Sequence, residues 1–184
     1  MSFDLPRNSM VGLTRDALVA LRSVLFREAG GNAAAYLQEA GYAGGGALHQ
    51  AFTTWCDARG LAAPEALPPQ LFGERAAEFF GDLGWGTVSV GTLHDSVAIL
   101  DSPNWAESDP SSAMQYPGCY LSAGMLADFF GRIAGNQLVA MEVECRSMGS
   151  DRCRFLLGSA ETMQHLYEAM TRGVGYEESL NQMA

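Results

Sequence analysis

The 184-residue chain sets 21 acidic residues against 11 basic ones, a formal net charge of −10. Every basic residue is an arginine, which excludes lysine Schiff-base chemistry, pyridoxal-phosphate catalysis included, and removes the usual phosphate-loop lysine. An acidic chain also lacks the electrostatic footprint that nucleic-acid phosphates or anionic lipids require, while 48% hydrophobic against 17% charged residues fits a compact fold.

Met1 to Pro6 show no basic region followed by an apolar run, and no stretch approaches 18 uninterrupted apolar residues. Neither a secretory signal nor a membrane span is expected, and a cytoplasmic location follows by default. Thr14 to Ala29 reads as an amphipathic helix, with Leu18, Leu21, Val24 and Leu25 at helical spacing, Thr14 as N-cap and Gly30-Gly31 as its end. Asn32 to Arg59 is a second helical region, apolar at Leu37, Leu48, Phe52 and Trp55. Gly41 and Gly44 to Gly46 interrupt it at about 1 kcal/mol each. A kink, a break, or a close approach of another backbone is expected there. Leu61 to Pro69 is a proline-bearing linker and Gln70 to Leu83 a third helix.

The period then changes from helical to alternating. Trp85 to Thr92 and Ser96 to Leu100 read as a hairpin turning at His94-Asp95. Asp101 to Gly118 is a long polar loop of the kind that serves as a lid or binding loop. Cys119 to Ala134 is helical, with Asp128 placed either toward solvent or to pair with Arg132. Gln137 to Cys145 and Arg152 to Leu157 form a second hairpin, and Ala160 to Arg172 a closing helix capped by Ser159. The last dozen residues read as acidic and frayed. The whole is one α+β domain over residues 1–184, a helical N-terminal half packed on an antiparallel sheet of two hairpins.

Of the four cysteines, Cys145 and Cys153 flank a turn built on Gly149-Ser150-Asp151, and Cys119 follows Pro117-Gly118 at a helix start. The helix dipole there favours the thiolate that metals bind. In a reducing compartment such clustered thiols favour metal or chemistry over disulfides. A carboxylate from Glu142 or Glu144 would complete four ligands, and three sulfurs with one oxygen suit zinc. The plain alternative is a reduced, half-buried pair at Cys145 and Cys153. Parity sets a condition on the metal reading. Glu142 and Cys145 differ by an odd number, so a regular strand would face them oppositely, and a bulge or strand end between Val143 and Cys145 is required. Arg146, Arg152 and Arg154 flank the cysteines and are expected to offset the net −2 charge of such a site. Cys56 reads as a small core residue.

The run Ser102-Pro103, Pro117-Gly-Cys119, Gly124, Phe130-Gly131-Arg132 and Glu142-x-x-Cys145-x-x-x-Gly149-x-x-x-Cys153-x-Phe155 resembles the 4-vinyl reductase domain family. That family includes sensor domains of phenol- and xylene-responsive activators and proteins linked to bacteriochlorophyll synthesis. It is similar in fold to the small subunits of the TRAPP tethering complex. The motif occupies residues 102–157. The resemblance implies a structural Zn²⁺ held by Cys119, Glu142, Cys145 and Cys153, and so favours Glu142 over Glu144. It also implies a buried apolar pocket for a small hydrophobic or aromatic ligand. Candidate contacts are Trp105 and Tyr116 as gate residues, with Tyr120, Phe80, Trp85, Ile99, Phe130 and His49. A homodimer through the helical face is implied too, with the glycine-rich 41–46 segment as a candidate contact. In phenol-sensing relatives the strand before the loop carries a tryptophan. Here it reads Val97-Ala98-Ile99-Leu100, so a larger or more apolar ligand than phenol is expected.

Two kinds of function remain in view. One is a non-catalytic sensor or carrier module, whose output would pass through a partner protein because no helix-turn-helix or ATPase motif is present. The other is an accessory protein or reductase of (bacterio)chlorophyll or tetrapyrrole biosynthesis. No dinucleotide fingerprint between strand and helix and no Cys-x-x-Cys is seen, so catalysis is not the expected role.

Overall fold

The computed structural model describes residues 10–183; the expectation placed on Met1 to Pro6 lies outside them. Helix α1 (Arg15–Ala29) opens on Thr14, whose side chain accepts from the Ala17 amide, and closes at Gly30. Helix α2 (Ala33–Asp57) runs unbroken through Gly41 and Gly44 to Gly46. The reason is the close approach expected as the alternative to a kink. A methyl group at Gly41 would meet the Leu121 carbonyl, and one at Gly124 the Gln38 carbonyl. Each helix thus supplies a glycine where the other's backbone passes, and the contact offsets the helix propensity lost. Gly41 and Gly45 are therefore occupied within the chain, against helix α4 (Tyr120–Ala134), and do not supply the dimer surface proposed for them.

Helix α3 (Pro69–Asp82) precedes the hairpin of β1 (Ser89–His94) and β2 (Val97–Ser102); β3 (Val139–Glu144) and β4 (Cys153–Gly158) form the second. The strands make one antiparallel sheet in the order β1-β2-β4-β3, so β3 is an edge. Helix α5 (Ala160–Thr171) starts on Ser159, which accepts from the Thr162 amide. The tail read as frayed contains a further helix, α6 (Tyr176–Asn181), with Leu180 buried against Val97, Leu156, Met163 and Leu166. Burial of one leucine and the tyrosine contacts described below give that short acidic segment its anchorage.

The architecture is α+β, with long N-terminal helices packed on a four-stranded antiparallel sheet. Alternation along each strand divides the apolar residues between its two faces. Phe52, Phe79, Phe80, Trp105, Phe129 and Phe155 fill the space between α2, α3, α4 and the sheet. Val97, Leu156, Met163 and Leu166 make a smaller core beneath α5 and α6. Asp128 pairs with Arg132 at 2.8 Å, as its spacing suggests. Among the described residues no helix is long and apolar enough to cross a membrane.

Candidate metal centre and apolar groove

Cys119 is the N-cap residue of α4 and is fully buried. Glu142 lies on β3, Cys145 just past its end and Cys153 at the start of β4. The register breaks between Glu142, opposite Phe155, and Glu144, opposite Arg154. This is the bulge that parity demanded: the extra residue at Val143 brings Glu142 and Cys145 to one face. A single turn of 3₁₀ helix at 146–148 follows, and Gly149 closes it at φ 91°, a left-handed conformation suited to glycine.

One ligand atom from each of Cys119, Glu142, Cys145 and Cys153 lies within 4.8 Å of every other, so this buried cluster could hold a metal ion. The Cys119 and Cys145 sulfurs are 3.8 Å apart. Two sulfurs ~2.3 Å from a common ion at the tetrahedral angle stand about 3.8 Å apart, so the spacing fits without rearrangement. The carboxylate gives a second test. Glu142 Oε2 accepts from the Cys119 amide at 2.9 Å, whereas Oε1 is buried with no hydrogen-bond partner. A buried carboxylate oxygen left bare is costly, and a cation at the centre of the cluster removes that cost.

The electrostatics agree. Burial, and then the Cys145 thiolate, push the Glu142 carboxyl up to about 8. Burial likewise raises the Cys119 thiol well above its ordinary value. Cys145 is held down by hydrogen bonds from the Cys119 and Cys153 thiols, with further support from the Gly118 amide and Ser147. The Arg146 amide supports the Cys153 sulfur. Charge compensation thus comes from backbone dipoles, not from the flanking guanidinium groups expected to supply it. Arg152 and Arg154 are engaged elsewhere: Arg154 forks onto both Asp101 oxygens at 2.7 Å, and Arg152 onto both Glu144 oxygens at 2.8 and 3.0 Å. Alternation on β4 explains this, since Arg154 faces away from Cys153 and Phe155.

The 103–118 loop is tied to this cluster. Trp105 stacks on Trp85 with centroids 5.2 Å apart and donates its indole N–H to Ser122. Glu107, fully buried, accepts from the Leu121 and Ser122 amides and from the Ser122 hydroxyl, capping α4 from a distance. Arg22 donates to the Glu107 carbonyl. Asp109 and Met114 donate their amides to Ser147, one to its hydroxyl and one to its carbonyl. The cap at Glu107 escaped the sequence reading because it is thirteen residues upstream of the helix it serves, where no local spacing signals it.

The residues proposed as ligand contacts divide into separate places. Phe80, Trp105 and Phe130 are close-packed in the helix-side core, and Trp85 lies against them. Ile99 faces the α5 side of the sheet. His49 is 2.6 Å from Glu65 at the outer surface of α2. Tyr116 and Tyr120 alone among the eight border a groove of about 740 Å³ between α4, β3 and α5. Its other walls, Met141, Met163, Tyr167 and Met170, come from segments that the sequence marked only as strand and closing helix.

Comparison with known proteins places these features. Residues 105–159 match the family model of the vinyl-4-reductase domain, the resemblance that the cysteine motif carried. The fold is similar to that of the phenol-responsive sensory domain of the transcription activator PoxR, solved with phenol. The TM-score is 0.66 at 19% identity, over 83% of this chain and 77% of that one. A vinyl-4-reductase family protein from Methanocaldococcus jannaschii is similar at a TM-score of 0.47 and 21% identity, over 66% of each chain. No curated protein matches the chain.

Proposed function

We propose that the chain is a single, non-catalytic ligand-binding domain spanning residues 1–184, stabilised by one structural zinc and acting as sensor or carrier for a small hydrophobic molecule. The observation that carries this reading is the preformed Cys119–Glu142–Cys145–Cys153 cluster with its bare carboxylate oxygen. Three soft sulfurs and one oxygen form a closed tetrahedral set suited to zinc, which when bound would contribute folding energy and leave no position for an activated water. The ion would fasten the start of α4 to the β3–β4 hairpin, and through Ser147 to the 103–118 loop.

The ligand part of the proposal draws on the fold shared with the PoxR sensory domain, whose structure holds phenol. Tyr116 and Tyr120 are the contacts retained from the sequence reading, because they border open space. A homodimer and an output partner protein belong to the same proposal, with the dimer surface lying outside the Gly41–Gly45 contact. Native mass spectrometry of the purified chain, with metal analysis, tests it. One zinc per chain is expected, together with loss of that zinc in Cys145→Ser. A wild-type chain that takes up no zinc from zinc-containing buffer, or that binds no neutral hydrophobic compound saturably, overturns the corresponding half.

A further inference from the structure

The groove between α4, β3 and α5 has a composition that the domain's core does not explain. Three tyrosines and three methionines form its walls: Tyr116, Tyr120 and Tyr167, with Met141, Met163 and Met170. Tyr116 and Tyr167 are 71% and 57% exposed, so large apolar rings stand in water at its lips. Tyrosine offers a rigid amphipathic surface and methionine an adaptable one, the pairing found where a surface must accept a molecule of its own shape. The volume, about 740 Å³, falls within the range of small-molecule sites and well exceeds what a single phenol ring fills. Cys119 and Glu142 reach the same groove, so its floor is one side of the metal cluster.

Charge narrows the class of occupant. Among the described lining residues there is no arginine, lysine or histidine, and Glu142 is the only ionisable carboxylate. An anionic head group would find no counter-charge. A cation would have to compete with the metal ion for Glu142. An uncharged molecule meets neither obstacle and gains from burying the exposed rings.

We propose that this groove binds an uncharged, apolar or aromatic molecule larger than one ring, seated against the Cys119–Glu142 side of the metal cluster. The proposal rests on the ligand-binding reading above and deepens it, by placing the ligand at the edge of the sheet instead of within the helix-side aromatic core. Its chemistry is non-covalent: aromatic faces on Tyr116, Tyr120 and Tyr167, and a methionine wall that conforms to the guest.

The test uses the full, zinc-loaded chain and the neutral probe N-phenyl-1-naphthylamine, with methyl-labelled methionine for NMR. Saturable fluorescence enhancement is expected, with methyl shifts confined to Met141, Met163 and Met170 out of nine methionines. Gln164→Trp, which fills the groove from an exposed position, is expected to weaken binding about tenfold. Tyr116→Ala should do so roughly threefold while leaving the melting temperature unchanged, because this side chain stands in solvent. Binding that shifts Met125 or Met10 in the helix-side core, and that both substitutions leave intact, overturns the groove but keeps the ligand-binding reading. No binding of this probe or of other neutral aromatics overturns both. Groove substitutions that change the sedimentation coefficient instead of probe affinity make the groove a protein interface and also overturn the proposal.

Discussion

Strands β3 and β4 carry two polar clusters, one on each face of the sheet, and the two are built on opposite principles. On the α6 side Arg154, Asp101, Arg152 and Glu144 pair their charges with one another, and the Tyr176 hydroxyl joins Glu144 to Arg154. Every charge there has its counter-charge within the chain. On the α4 side three thiols and a carboxylate converge with no cationic side chain among them, and one carboxylate oxygen is bare. The first cluster is complete as folded; the second requires an ion from outside. A few ångströms of sheet therefore separate a network independent of metal from one that depends on it.

The largest effect should come from removing what the second cluster lacks. Chelation, or Cys145→Ser, is expected to lower the melting temperature by about 10 °C or more, as read by calorimetry. Equal melting with and without metal would erase the contrast. Next, Arg154→Met leaves Asp101 without its fork and is expected to cost about 3 kcal/mol, measured by urea unfolding. The comparison is sharpened by running this variant in both metal states: the same loss in each is expected, and a loss that vanishes on chelation would show the clusters to be one unit. Adding Asp101→Asn to Arg154→Met should recover part of the loss, because no unpaired charge then remains.

A third prediction uses pH. In the metal-free chain burial keeps a proton on Cys119 that the unfolded chain releases near ~8.5. The folded state then binds more protons than the unfolded one above that value, so metal-free stability falls as pH rises through it. Metal binding displaces thiol protons and strengthens over the same interval. The melting gap between metal-bound and metal-free protein should accordingly widen from pH 7 to pH 9, and a constant gap contradicts the assignment of Cys119 as a ligand. The smallest effect is expected from Arg152→Ala. Its side chain is 38% exposed and its pairs are screened, so under about 1 kcal/mol should be lost.

The metal cluster was legible because its geometry is local. Cys145 and Cys153 flank one tight turn, and the parity of Glu142 and Cys145 by itself announced the bulge at Val143. The partners of the arginines were not legible. Arg154 meets Asp101 across 53 residues, through the β2–β4 register, and meets Tyr176 through a helix whose stability comes from tertiary contact. The unbroken course of α2 was half legible: its glycines signalled either a break or a close approach, and only the position of α4 decides between them. The groove required knowing where α5 lies against β3, which strand and helix periods do not state.

The crossing of α2 on α4 also bears on the choice of ion. Leu121, two residues after Cys119, has its carbonyl against Gly41, so the first turn of α4 has no freedom to slide. One corner of the cage is bolted to a stiff helix pair, while Cys145 and Cys153 hang on a hairpin with a bulge in it. An ion with longer bonds, such as cadmium, would have to be accommodated by spreading the hairpin alone. The strain would run through Ser147 into the loop it holds, so a mismatched metal would be felt at Asp109 and Met114 before it was felt in the helices.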